Sequence, residues 1–183
     1  AHALQESLLP GSLPGDPRLD MAVRYRPAGE GIDVGGDFYD VHAAGPDVWQ
    51  VAVGDVQGKG PDAARLTALC RHTLRTCALL QPEMGPAAMA GVLNRALIEQ
   101  GPQDRLDLVT GLIARVALAK DAARIRLTAA GHPPPVIVRA DGGVASVAAR
   151  SPLLGFLPDL EWDERRFDLA FGDMPGATER ELD

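Results

Sequence analysis

The chain has 183 residues, 46% of them hydrophobic and 23% charged, with a net charge of −7. This suits one domain with a substantial core and an ordinary soluble composition. There is no basic run and no apolar run of about 18 residues, so nucleic acid and membrane are not expected partners, and no targeting segment is recognisable.

Residues 2–9 carry apolar positions at helical spacing and stop at Pro10. They predict the last turns of a connector helix, followed by a Pro/Gly-rich linker to Pro17. The expected division is therefore 1–17 for connector and linker and 18–183 for the folded domain. Residues 19–26, LDMAVRYR, alternate as a strand.

The stretch Gly35 to Gly60 is the most informative. Gly45-Pro46-Asp47 is a turn signal between two runs rich in β-branched and aromatic residues. A turn centred on Pro46 sets Val41 opposite Val51, Tyr39 opposite Val53 and Asp37 opposite Asp55. Alternation then puts Tyr39, Val41, Trp49, Val51 and Val53 on one face, with both carboxylates at its open end. Like charges directly opposed are destabilising, and a divalent cation taking oxygen ligands would satisfy them. A solvated rim at an exposed strand end is the competing reading. Glycines flank both acids, so backbone can approach a metal or phosphate closely.

Pro61 and Asp62 suit a helix N-terminus. Leu66, Leu69, Cys70, Thr73, Leu74, Cys77 and Leu80 follow as a helical stripe, predicting a helix over 61–80. A second covers 86–99, with Met89, Val92, Leu93, Ala96 and Leu97 inward. His72 reads as a helix-surface or core-edge histidine. Cys70 and Cys77, the only cysteines, stand roughly 10 Å apart along the first helix, too far for a disulfide. They read as reduced core thiols in a cytoplasmic protein. Strands are expected at 108–118, 123–129, 135–139, 144–148 and 164–169, with a turn at Asp141-Gly142-Gly143. Strands, two helices, then strands make an α+β pattern of antiparallel meanders.

The loop Gly54-Asp55-Val56-Gln57-Gly58-Lys59-Gly60 is not a phosphate-binding P-loop, because three residues rather than four separate Gly54 from Gly58 and Gly60 replaces Ser or Thr. There is no G-x-S-x-G elbow to support a Ser-His-Asp hydrolase.

Five segments occur in order: Leu4-Gln5-x-Ser7-Leu8-Leu9-Pro10, Tyr25-x-Pro27-Ala28, Val34-Gly35-Gly36-Asp37-Phe38-Tyr39-Asp40-Val41, Gly54-Asp55-Val56-x-Gly58-Lys59-Gly60, and Ala130-Gly131-His132-Pro133-Pro134-Pro135. Together they resemble the SpoIIE/RsbU-type bacterial branch of the PPM (protein phosphatase 2C-like) serine/threonine phosphatases. The resemblance implies an αββα sandwich of two antiparallel sheets flanked by helices. It also implies a site of two Mn²⁺ or Mg²⁺ ions that activates water against phosphoserine or phosphothreonine. Asp37 and Asp55 match the metal ligands, with Asp55 bridging the ions, and Val56 matches a position whose backbone carbonyl ligates. Gly36, His132 and Asp40 are candidates to stand just behind them, with Asp40 equally readable as an ordinary polar position on the opposite face. By the same resemblance the substrate is a phosphorylated STAS-type anti-sigma-factor antagonist. The connector helix would join a PAS- or GAF-like sensor domain and offer a surface for homodimerisation.

One departure stands out. After Gly172-Asp173 the family runs into an apolar strand ending Thr-Asp-Gly, whose Asp ligates a metal, but here Met174-Pro175-Gly176-Ala177 follows at once. A further Asp motif near the family's C-terminus is also missing. The chain as given thus holds half of a dinuclear site. Omission of segments is the expected cause, since losing a core strand would leave a hole in the sandwich. The rival reading is a non-catalytic module that keeps the fold and binds a regulatory partner.

Overall fold

The computed structural model describes residues 10, 13, 15–24, 36–101, 105–170 and 172–177. Its core is built outward from a hairpin, β1 (Asp37–Gly45) and β2 (Val48–Val56). The turn places Asp47 at φ 57, a left-handed conformation that Asp tolerates better than most residues. The pairing is the expected one: Val41 meets Val51, Tyr39 meets Val53 and Asp37 meets Asp55, with a bulge between Ala43 and Gly45.

The hairpin continues into an antiparallel sheet with β3 (Val109–Leu118), β4 (Ala122–Ala130) and β7 (Arg165–Ala170), in the order β1-β2-β3-β4-β7. A smaller sheet holds β5 (Val136–Val138), β6 (Val144–Ser146) and β8 (Met174–Gly176), in the order β6-β5-β8.

Two helices cover the larger sheet, α1 (Pro61–Leu80) and α2 (Pro86–Gln100), each opened by a first-turn proline after a glycine. Their buried stripes, Leu66, Cys70, Leu74 and Cys77 on α1 and Met89, Leu93 and Leu97 on α2, pack on Phe38, Ala52, Val56 and Ile113. Fully burying one such leucine contributes about 1.5–3 kcal/mol. The opposite face of the sheet, with Leu112, Ala114, Ile125, Leu127 and Ala129, packs on Ile137 and Ala149. Two antiparallel sheets and two helices thus make the expected α+β sandwich, with one helical layer among the described residues. Among those residues no helix is long and apolar enough to cross a membrane.

Several expectations change. Residues 20–24 are not a strand; Asp16 and Leu19 form an isolated bridge, and Arg18 bonds both Asp16 and the hairpin-turn residue Asp47. Val92 is 40% and Leu80 72% exposed, because the helices press only one side on the sheet. The three-residue β8 was not expected, since Pro175 lies within it; its place at a sheet edge is where proline is tolerated. The predicted helix at 2–9 lies outside the described residues.

Candidate metal centre

Asp37 and Asp55 are register partners at the open end of the hairpin. They share the sheet face that carries Val51, Leu112 and Leu127, the one directed at the smaller sheet. Gly36 closes the arrangement. Its carbonyl accepts the Val56 N–H at 3.1 Å, and a Cβ at Gly36 would collide with both the Val56 carbonyl oxygen and Asp55 Oδ1. Only glycine permits this approach. A side-chain oxygen and a main-chain oxygen therefore converge beside Gly36, next to Asp37. Asp55 as a residue is exposed, yet partial burial of its carboxyl raises its pKa, and the charge of Asp37 raises it further.

The donors present are all oxygen, which suits a hard divalent cation. Among the described residues no three His, Cys, Asp or Glu side chains come together to hold a metal. Asp37, Asp55 and the Val56 carbonyl fit such an ion as part of a coordination sphere.

Of its two readings, Asp40 takes the second, a polar position on the opposite face, and does not stand behind the Asp37–Asp55 pair. It belongs to the opposite face of β1, is 2% exposed, and looks at α1 rather than at the Asp37–Asp55 pair. Arg75 donates to it from Nε (2.6 Å) and Nη2 (2.7 Å), and Arg71 from Nη2 (3.3 Å). His42 Nδ1 stands 3.5 Å away. Burial by itself raises the Asp40 pKa, but the Arg75 hydrogen bonds, His42 and the charges of Arg71 and Arg75 outweigh it and hold the carboxyl well below the usual range. The alternation of β1 dictates this, since residue 40 has the opposite parity to residue 37.

His132 is drawn toward the pair. It is 5% exposed, and its Nδ1 lies 3.3 Å from Thr110 Oγ1. Thr110 is the β3 residue paired with Asp55. Thr110 carries no motif and was not legible in the sequence; the only signal was its place in a strand that could neighbour β2. The loop after Asp55 turns through Gly58 (φ 97) and Gly60 (φ 76), and the Gln57 N–H donates to the Leu108 carbonyl.

Comparison with known proteins agrees with this architecture. The family profile described as Stage II sporulation protein E (SpoIIE) matches residues 45–174. Protein IcfG of Synechocystis sp. (strain ATCC 27184 / PCC 6803 / Kazusa) is 38% identical over 72 residues, covering 39% of this chain and 11% of IcfG. The RsbU and RsbW domains of Rv1364c from Mycobacterium tuberculosis superpose with a TM-score of 0.65 at 25% identity, over 80% of this chain and 39% of that one. RsbX in complex with magnesium superposes with a TM-score of 0.58 at 15% identity, over 80% and 65%. The chain spans less than two thirds of each of these proteins.

Proposed function

This chain belongs to the SpoIIE family, and from that membership we propose that it is a metal-dependent phosphatase acting on phosphoserine or phosphothreonine in a protein. The observation that carries the reading is the convergence of Asp37, Asp55 Oδ1 and the Val56 carbonyl around Gly36. These residues would hold Mn²⁺ or Mg²⁺. The magnesium in the RsbX structure supports that class of ion.

A bound ion of this class would supply an acidified water and positive charge for the phosphoryl oxygens, so no protein nucleophile would be required. The residues of this chain act by position. The β1–β2 register fixes the separation of the two carboxylates, Gly36 keeps side chains out from between the oxygens, and the glycines after Asp55 bend the loop that presents the Val56 carbonyl. The raised pKa of Asp55 reflects a carboxylate pair prepared for positive charge.

The proposed substrate is a phosphorylated STAS-type anti-sigma-factor antagonist in a partner-switching pathway, in the cytoplasm. The neighbour that joins an RsbU domain to an RsbW domain supports this class. The segment before residue 18 would link a PAS- or GAF-like sensor and provide a dimer contact.

A second reading, a phosphatase-fold module that binds a partner without turnover, is favoured by one observation. Met174–Gly176 pairs with β5 directly after Asp173, where the family it resembles carries its apolar Thr-Asp-Gly strand.

The experiment that decides is phosphate release from a phosphoserine protein with and without Mn²⁺, in wild type and Asp55→Asn. The phosphatase reading expects Mn²⁺-dependent release that falls at least about a hundredfold in the variant. No release from folded wild-type protein with either metal selects the binding module.

A further inference from the structure

Near the metal-bearing end of the larger sheet, the chain holds two large apolar side chains out in solvent. Phe156 is 49% and Leu157 48% exposed, although Leu154, just before them, is buried in the core.

Their exposure is built into the backbone. Gly155 turns the chain with a left-handed φ of 79, and a Cβ there would collide with the Asp107 carbonyl. The Gly155 N–H donates to Asn94 Oδ1 at 2.8 Å, and Asn94 Nδ2 donates to the Leu157 carbonyl at 2.9 Å. Asn94 is itself buried, on α2. Backbone on both sides of Phe156 is thus tied to one buried amide, which fixes Phe156 and Leu157 as a tip. Two more exposed apolar residues flank it: Ile98, one turn beyond Asn94, and Leu106, next to Asp107. A contiguous apolar patch held in order against water marks a surface that another molecule covers.

The place of the tip selects the occupant. Val56 pairs with Val109, and Val109 exchanges backbone hydrogen bonds with Leu154. Adjacent strands lie about 4.8 Å apart, so Leu154 stands about 10 Å from Val56. Two further residues carry the chain at most about 7 Å more, which keeps Phe156 within about 17 Å of Val56. A stable protein interface covers about 800 Å² per partner, a disc about 32 Å across, so one footprint holds both the metal site and the tip. A small phosphate ester seated at Asp37 and Asp55 would not reach the tip. The net charge of −7 disfavours an anionic membrane as the occupant.

We propose that Phe156 and Leu157, with Ile98 and Leu106 beside them, form the docking surface for the phosphoprotein substrate. The patch holds the protein part of the substrate while the Asp37–Asp55 site takes its phosphoryl group. The proposal rests on the phosphatase reading and adds the determinant that selects a protein over a small phosphate ester.

Steady-state kinetics of the full chain with Mn²⁺ test it on two substrates, a STAS-domain protein phosphorylated on serine and p-nitrophenyl phosphate. The variant combines Phe156→Ala with Leu157→Ala, and its Tm confirms that it folds. It should raise KM for the phosphoprotein at least about tenfold with kcat within about twofold, and leave p-nitrophenyl phosphate hydrolysis within about twofold of wild type. Unchanged kcat/KM on the phosphoprotein, an equal loss on both substrates, or a wild type that hydrolyses only p-nitrophenyl phosphate overturns the proposal while the phosphatase stands. A dimer in light scattering that the variant dissolves, with phosphoprotein kinetics unchanged, assigns the tip to a second copy of the chain and overturns it too. A folded wild type that hydrolyses neither substrate ends both readings.

Discussion

The two faces of β1 treat their carboxylates in opposite ways. Asp40, on the helix face, is buried, gripped by Arg75 and Arg71, and its pKa is pushed down. Asp55, opposite Asp37 on the other face, has its pKa pushed up, by burial and by the charge of its neighbour. The protein sets two arginines against Asp40 and a second carboxylate opposite Asp55. A carboxylate that the fold neutralises serves the fold. A carboxylate that the fold leaves electrostatically strained, beside a carbonyl oxygen and a glycine, is prepared for a ligand that brings its own positive charge.

The largest expected effect is at Gly36. Gly36→Ala forces a Cβ into the Val56 carbonyl and Asp55 Oδ1, so it should lower Mn²⁺ affinity and Mn²⁺-dependent phosphate release by at least about tenfold. Titration of both readouts with Mn²⁺ checks this, and an unaffected variant would mean that the approach of these oxygens does not matter.

Next comes Asp40→Asn. It leaves two arginines facing a neutral amide, and since Arg75 is partly exposed the loss should be about 2–3 kcal/mol of unfolding free energy at pH 7. Because the folded pKa is depressed, this contribution is present above the unfolded value of about 3.9 and is lost as pH falls below it. Urea denaturation at several pH values reads both the loss and its disappearance in acid.

The smallest effect has the opposite sign. Asp55 has a raised folded pKa, so its ionised form destabilises the metal-free fold above that value, and the penalty vanishes as pH drops through it. Asp55→Asn should therefore stabilise the metal-free chain at pH 7, by at most about 1 kcal/mol given its exposure. The gain should shrink toward pH 4 in the same denaturation series.

What the sequence disclosed follows from how local each constraint is. The hairpin register was legible because Gly45-Pro46-Asp47 fixes it within two residues. The helices were legible from Leu66, Cys70, Leu74 and Cys77 at helical spacing. Alternation separates Asp40 from Asp37, but its arginines lie 31 and 35 residues away, on a helix whose rotation over the sheet no local pattern gives. Thr110 was hidden for a related reason. Two helices separate β2 from β3, so no tight turn sets their register, and only the assembled sheet puts Thr110 beside Asp55. The alternation of residues 19–24 misled: among the described residues no strand pairs with 20–24 although β1 and β7 are sheet edges, so alternation by itself does not make a strand.

The most direct test of this division is thermal denaturation of wild type, Asp37→Asn and Asp40→Asn, each with and without Mn²⁺. Binding to the folded state alone raises Tm by mass action. The account predicts that Mn²⁺ raises the Tm of wild type and of Asp40→Asn by similar amounts, with the latter starting lower, and that Asp37→Asn starts near wild type but gains little or nothing. A metal-induced shift preserved in Asp37→Asn, or lost in a folded Asp40→Asn, would contradict it.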